Sequence, residues 1–311
     1  MDVVPFIVGP TGIGKTAISV IIADKMPIEI VSADSRQIYK YMDIGTAKPS
    51  KDILRRIQHH FIDYLTPDKY FSAGRYGRKA REVIKQIIHK GKVPLVVGGS
   101  GFYIKTLTDG LSEIMPDNEE VRAELIQRLG SEGVENLHKE LVKVDPDLAI
   151  RIQKRDKQRI LRGLEVYYAT GNRLSDLHML EAKRADFYPF FVGLTAERDF
   201  LYENINRRVD EMLTDGLVQE VETLIEKGYT VEMNALNTVG YKEVFDYIAG
   251  NTTEKEMAEE IKKNSRRYAK RQLTWFRKDT RIQWLTIDEK SQPIQIADDI
   301  CDRLNKFKLT I

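Results

Sequence analysis

Eight residues near the amino end, GPTGIGKT, keep the spacing G-x-x-x-x-G-K-[ST]. Between a strand and a helix, that spacing makes a cradle for phosphate. Glycines at 9, 12 and 14 let the backbone turn so that successive N–H groups point inward at one anion. The helix expected to start near Lys15 aims the positive end of its dipole at the same point. Lys15 supplies a full charge, and the Thr16 hydroxyl is a ligand for Mg2+. Gly9, Pro10, Thr11, Gly12, Ile13, Gly14, Lys15 and Thr16 are therefore the expected diphosphate- or nucleotide-binding segment. Which phosphate compound it holds is left open, because a nest of N–H donors does not distinguish one diphosphate from another.

An ordinary nucleotide hydrolase adds a strand ending in Asp to hold the metal. Here the apolar run 94–97 ends in Gly98-Gly99-Ser100-Gly101 instead. The acidic residue nearest a strand end is Asp34, three residues past the run 28–31. Ligands of open α/β sheets collect at the carboxyl ends of strands, so Asp34 is expected to face the cradle. Beside a diphosphate and Mg2+ it could serve as metal ligand or general base. Asp and Ser also start helices and turns, which leaves a purely local role open. The neighbouring Ser35 and Gln37 add polar groups, and Gln pairs naturally with adenine edges.

These residues need a frame. Five short apolar runs read as buried strands: Val3–Val8, 28–31, 94–97, 189–194 and 282–287. They alternate with helical patterns and are continuous rather than alternating, which is the mark of a parallel sheet covered on both faces. About ninety residues between 97 and 189 carry no strand signal. Helical patterns at 118–129, 134–144 and 157–170 fill that gap. The expectation is a P-loop NTPase-like α/β core with a parallel sheet, 1–112 and 188–311, and a helical insertion domain, 113–187. Further helices are expected at 198–213, 218–226, 238–249, 253–278 and 293–307.

Composition narrows the class. The chain has 311 residues, 42% hydrophobic and 31% charged, which suits a globular fold. Its 49 basic and 47 acidic residues leave a net charge of +2, which excludes a uniformly basic nucleic-acid coat. Cys301 is the single cysteine, so an intrachain disulfide and a cysteine metal cluster are excluded, and a reducing cytoplasmic compartment is expected. Val3–Val8 is too short for a secretory signal, and no run approaches the roughly 18 apolar residues of a membrane span.

Seven segments, in order, resemble the bacterial tRNA dimethylallyltransferases, also called tRNA isopentenyltransferases. They are GPTGIGKT, SADSRQIYKYMDIGTAKP (32–49), VVGGSGFYIKTL (96–107), DKQRILRGLEVYYATG (156–171), RRVDEML (207–213), NTVGYKEV (237–244) and RRYAKRQLTWFR (266–277). The resemblance implies transfer of a dimethylallyl group from dimethylallyl diphosphate to N6 of adenosine 37 in tRNA, with diphosphate released. It implies that the P-loop binds the allyl donor rather than ATP, which accounts for the missing Asp-terminated strand. Asp34 then corresponds to the general base. Thr11, Lys15 and Thr16 correspond to the holders of diphosphate and Mg2+. Arg208 corresponds to a second diphosphate clamp, with Arg207 as the alternative one residue away. Where many relatives have a small polar or Ala-Ser pair this chain has Gly12-Ile13, and where they have DSMQ it has Asp34-Ser35-Arg36-Gln37. Neither change removes a needed donor, and Arg36 is available for an RNA phosphate.

The resemblance further implies that the tRNA anticodon stem-loop is the partner and that the target base is extruded into a tunnel. Its expected contacts are Asp34, Ser35, Arg36, Gln37 and Ser100 around the base. Arg122, Gln158, Arg159, Ile160, Leu161 and Arg162 are the expected contacts of the insertion. Asn237, Thr238, Val239, Gly240, Tyr241 and Lys242 follow, with Arg266, Arg267 and Lys270 on the long helix. Local charge supports this: residues 262–281 hold nine Lys or Arg against the single acid Asp279. Arg151, Lys154, Arg155, Lys157, Arg159 and Arg162 face only Asp156 in their stretch. Trp275 and Phe276 sit at helical spacing with Leu273 and are expected in the core rather than stacked on bases. The five histidines show no ligand spacing. No membrane partner is expected, and a monomer is. The rival readings are a P-loop small-molecule kinase using ATP, prenylation of free AMP, and a non-catalytic RNA-binding module.

Overall fold

The structure is a computed structural model describing residues 2–110, 118–179 and 183–310, with Glu119 by its backbone alone. Two compact units make up the chain, one from 1–71, 78–105 and 186–311, the other from 72–77 and 106–185. The expected start of the insertion, at Glu113, lies outside the described residues.

The chain begins with β1 (Val3–Val8), α1 (Lys15–Lys25), β2 (Ile28–Ser32), α2 (Lys51–Arg56) and β3 (His59–His60). Next come α3 (Ala73–His89), β4 (Val93–Gly98) and α4 (Gly101–Thr108). Five helices follow: α5 (Glu119–Glu132), α6 (Val134–Val144), α7 (Pro146–Arg151), α8 (Lys157–Thr170) and α9 (Leu174–Leu177). The remainder is β5 (Tyr188–Ala196), α10 (Arg198–Thr214), α11 (Leu217–Glu226), α12 (Tyr241–Ile248), α13 (Glu254–Phe276), β6 (Gln283–Ile287) and α14 (Pro293–Lys308).

The first unit carries one sheet in the order β3-β2-β4-β1-β5-β6, with every pairing parallel. β1 lies between β4 and β5, so Phe6 pairs with both Val96 and Phe191. Its side chains and those of β5 are buried on both faces, which is why the run is unbroken by polar residues. One face packs on α1 and α14, where Ile18, Ile22, Ala297, Ile300 and Leu304 join Ile7, Leu95 and Val192 in a single cluster. Because all strands run the same way, the loops after β1, β2 and β4 emerge at the same edge.

The second unit is helical. Leu125, Leu137, Leu141, Leu148, Ile160 and Leu164 form its core. Asp145, fully buried, holds two segments of it by accepting from Leu148 N–H and Ser175 N–H.

Two expectations change. Among the described residues the sheet has six strands, not five: β3 is only two histidines, too short and too polar to give an apolar run, yet it pairs with Ile30 and Val31. The helix expected at 238–249 begins at Tyr241, because Gly240 sits at φ +95, outside the helical region. Residues 238–240 are thereby free to line a cavity. Among the described residues, no helix is long and apolar enough to cross a membrane.

Candidate active site

β1 delivers the chain into the P-loop at Gly9, whose backbone passes so close to β5 that an added Cβ would lie 2.6 Å from the Leu194 carbonyl oxygen. Gly14, at φ +91, then turns the chain into α1 and offers no side-chain cap. The first-turn N–H groups of α1 are therefore left for an anion. Lys15 folds back over the loop, its ammonium donating to the carbonyls of Gly9 (3.0 Å) and Pro10 (2.7 Å). Burial, and next the nearby Arg208, pull the Lys15 pKa down to about 7, with Asp34 opposing.

Two distant helices close on this loop. From α10, Arg208 donates to the Thr11 hydroxyl at 3.0 Å. Burial lowers the Arg208 pKa, against the charges of Asp34 and Glu211. Arg207 instead bonds Asn204 at 2.8 Å and leaves its side chain 66% exposed. The geometry thus separates the two arginines that sequence left open, and Arg208 is the one turned into the loop. From α13, the buried Gln272 accepts from Thr11 N–H at 2.9 Å and donates to the Gly99 carbonyl at 3.0 Å. One amide therefore fixes the P-loop against the turn after β4.

Asp34 lies in the loop after β2. One carboxylate oxygen accepts from the N–H groups of Arg36 (2.8 Å) and Gln37 (3.3 Å), an Asx turn. The other accepts no hydrogen bond among the described residues. Ser35 N–H donates to the Ser100 hydroxyl at 3.0 Å, so Ser100 caps this loop. Tyr268 of α13 faces the same space, its phenol pushed up to about 12 by burial and then by Asp34's charge, so it remains a proton-bearing donor.

The loop continues to a wall held by Glu220 of α11. Its carboxylate accepts from the N–H groups of Asp43 (2.8 Å), Ile44 (2.7 Å) and Gly45 (3.1 Å). It also accepts from the Tyr241 hydroxyl at 2.6 Å. Thr11, Lys15, Thr16, Asp34, Arg208 and Tyr268 all border one cavity of about 980 Å³. Its lining comes entirely from the first unit. Gly45 to Ala47 and Thr238 to Gly240 complete the side nearest Asp34.

The other expected contacts have the following places in this geometry. Gln37 donates through its amide nitrogen to the carbonyls of Thr46 and Ala47, each at 3.1 Å. Arg36 directs one N–H to the Asn234 carbonyl at 2.6 Å. Tyr241 is fully buried and supports the loop through its hydroxyl on Glu220. Ile160 and Leu161 are core residues of the helical unit and have no surface to present. Arg122 and Arg162 both pair with the buried Glu165, at 2.9 and 3.0 Å. Arg159 pairs with Asp156 at 2.9 Å but stays exposed, as do Gln158 and Asn237. Lys242 lies 3.6 Å from Glu243. Arg266 is held by Asn206 at 2.6 Å and lies over the Tyr202 ring, whereas Arg267 and Lys270 are exposed. Phe276 is in the core as expected; Trp275 is not.

Gln272 and Glu220 were not marked by sequence, and Tyr268 was marked only as an aromatic among the basic residues of 262–281. The available signal for Gln272 was a polar side chain four residues from Tyr268, on the buried stripe of an amphipathic helix with Ala269 and Phe276.

The family model described as IPP transferase matches residues 37–279. A tRNA dimethylallyltransferase of Natranaerobius thermophilus is 43% identical over 306 residues, covering 96% of this chain and 91% of that protein. The tRNA dimethylallyltransferase 1 of Syntrophotalea carbinolica is 45% identical, covering 93% of each. In structure, the chain is similar to the crystal structure of a full-length tRNA isopentenylpyrophosphate transferase from Bacillus halodurans, with TM-score 0.71, 36% identity and 99% of both chains covered. A eukaryotic dimethylallyltransferase solved acting on tRNA gives TM-score 0.82 at 27% identity, covering 97% of this chain and 80% of that one.

Proposed function

This chain belongs to the IPP transferase family, and from that premise we propose that it moves a dimethylallyl group from dimethylallyl diphosphate to N6 of adenosine 37 in tRNA. The observation that carries the reading is the single cavity in which the P-loop, the Thr11–Arg208 pair and the open oxygen of Asp34 meet. The P-loop N–H groups, Lys15 and Arg208 bind the diphosphate and stabilise the charge that grows on it as the bond from allyl C1 to oxygen breaks. The flipped adenine presents N6 to C1, and the new C–N bond leaves that nitrogen cationic. Asp34 then takes the surplus proton, a task within reach of an ordinary carboxylate. Diphosphate leaves, and no water is consumed. Thr11 and Gln272 keep the cradle in register with the Gly99 turn.

The donor set suits a Mg2+ ion that is carried in largely by its substrate. Among the described residues no three His, Cys, Asp or Glu cluster as a metal site, while Thr16 is exposed to the cavity beside Lys15. Mg2+ typically keeps its waters and substrate phosphates as most of its ligands. Thr16 would hold it, and when bound it would neutralise charge on the leaving diphosphate.

The exposed cations of α13 and of residues 151–159 are proposed to hold the anticodon stem-loop, in the cytoplasm where tRNA is modified. A monomer is the proposed working form. The test is incubation with labelled dimethylallyl diphosphate and unmodified tRNA, beside AMP and ATP controls. Label is expected in tRNA alone; label in AMP, or phosphate transfer from ATP, would replace this reading.

A further inference from the structure

Trp275 stands 43% exposed against Phe102, itself 50% exposed. The rings meet edge to face, their centroids 6.2 Å apart and their planes at 84°. Gly101 fixes the indole in place: a Cβ there would lie 2.1 Å from Trp275 Cδ1, so the ring rests on bare backbone. Two large aromatics are thus left about half exposed, where their full burial would have stabilised the fold.

Their surroundings are cationic. Residues 267, 270, 271, 274, 275 and 278 recur at three- and four-residue spacing, so they share one face of α13 and its last turn. Arg267, Lys270, Arg271 and Lys278 on that face are exposed and form no ion pair among the described residues. The stripe is about 16 Å long. Tyr268 and Gln272, on the adjoining flank, line the cavity. Gln272 bonds the Gly99 carbonyl, and Trp275 and Phe102 each lie three residues beyond those two anchors. Neither member of the aromatic pair lines the cavity itself, whose nearest lining residues in the chain are those two anchors.

An apolar protein partner would leave the surrounding cations without counterparts. Single-stranded RNA answers both features, since its bases stack on aromatic faces and its phosphates pair with Lys and Arg. We infer that Phe102 and Trp275 form a stacking step for an unpaired base adjoining the one drawn into the cavity. The inference rests on the reading of tRNA as substrate and adds how the loop is kept open once the target base has left it.

The sequence has two tryptophans, Trp275 and Trp284, so Trp284→Phe leaves Trp275 as the sole indole reporter. Titration of that variant with an unmodified anticodon stem-loop is expected to quench its fluorescence. Trp275→Ala is expected to raise the Kd for the stem-loop and the KM for tRNA by about 5- to 150-fold. Donor KM, kcat and the salt slope of binding should stay unchanged, and Trp275→Phe should recover most of the loss. An abasic site beside the target nucleotide should weaken wild-type binding equally and add nothing to Trp275→Ala. Absence of quenching, full affinity in Trp275→Ala, or a loss that also moves donor KM would overturn the stacking role. If Trp275→Ala does not fold, Phe102→Ala with the abasic RNA decides by the same criteria. Wild-type transfer of label separates the two ideas: if it fails, the substrate reading falls, whereas transfer with no stacking signature removes only this step.

Discussion

Asp34 does two jobs with one carboxylate, and substitutions can separate them. One oxygen closes the turn through Arg36 and Gln37, and the other faces the cavity. Asp34→Asn keeps an oxygen for the turn but removes the proton acceptor. Its turnover is expected to fall at least about 100-fold while tRNA affinity stays within about twofold; a filter-binding loss equal to the loss in turnover would make the residue structural. Lys15 carries a different signature. Its free-enzyme pKa lies near 7 because burial and Arg208 disfavour its charge. An arriving diphosphate reverses that, so above pH 7 donor binding takes up a proton and donor KM rises with pH. The sign for folding is opposite. The unfolded lysine keeps its ordinary value of 10.5, so from about 7 to 10.5 it holds a proton that the folded one lacks. Stability of the unliganded protein therefore gains from this group as pH rises through that window. Pyrophosphate calorimetry at pH 8 in buffers of different ionisation heat should show the uptake, and Lys15→Met should abolish it; buffer-independent heat in the wild type would refute it.

Among elements, α13 carries the most consequence, because it reaches both phosphate-side loops through Gln272. Replacing Gln272 by Ala strands the Thr11 N–H and the Gly99 carbonyl, at a site only 6% exposed. A cost of about 1–3 kcal/mol is expected, read by urea unfolding, together with a raised donor KM. Unchanged stability and unchanged KM would mean that the two loops hold their register alone. This bridge also shows what sequence can carry. The P-loop and β1, β2, β4 and β5 were legible because their chemistry is local: an apolar run, then glycines, then Lys and Thr. Gln272 and Glu220 were not, because their partners lie 173 and about 176 residues away in the chain. The bonds Gln37 makes to the carbonyls of Thr46 and Ala47 were not legible for a related reason, since an amide suited to adenine is equally suited to backbone. Trp275 and Phe276 are adjacent on a helix, so they point about 100° apart and only one of them could face the core.

At the scale of the whole molecule, a net charge of +2 looks too small for a polyanion. Many surface cations are neutralised close by, as Lys263 is by Glu260 at 2.9 Å and Arg128 by Glu132 at 2.7 Å. What an RNA strand meets is the arrangement of the cations left over, and α13 gathers Arg267, Lys270 and Arg271 on one face. Local and global charge give different expectations for salt. Each phosphate neutralised on a single strand adds about 0.7 to the slope of log affinity against log salt. Replacing Arg267, Lys270 and Arg271 together by Ala should therefore flatten the slope for stem-loop binding by about 2. Arg266 is left out because Asn206 and Tyr202 already hold it. The control is Lys51, Lys306 and Lys308, all exposed, replaced in the same way. Either triple lowers the net charge from +2 by three, to −1. If the overall charge governs attraction, the two triples change the slope alike; if the stripe on α13 governs it, only the first does. Equal slopes in the two variants would take RNA binding away from that helix.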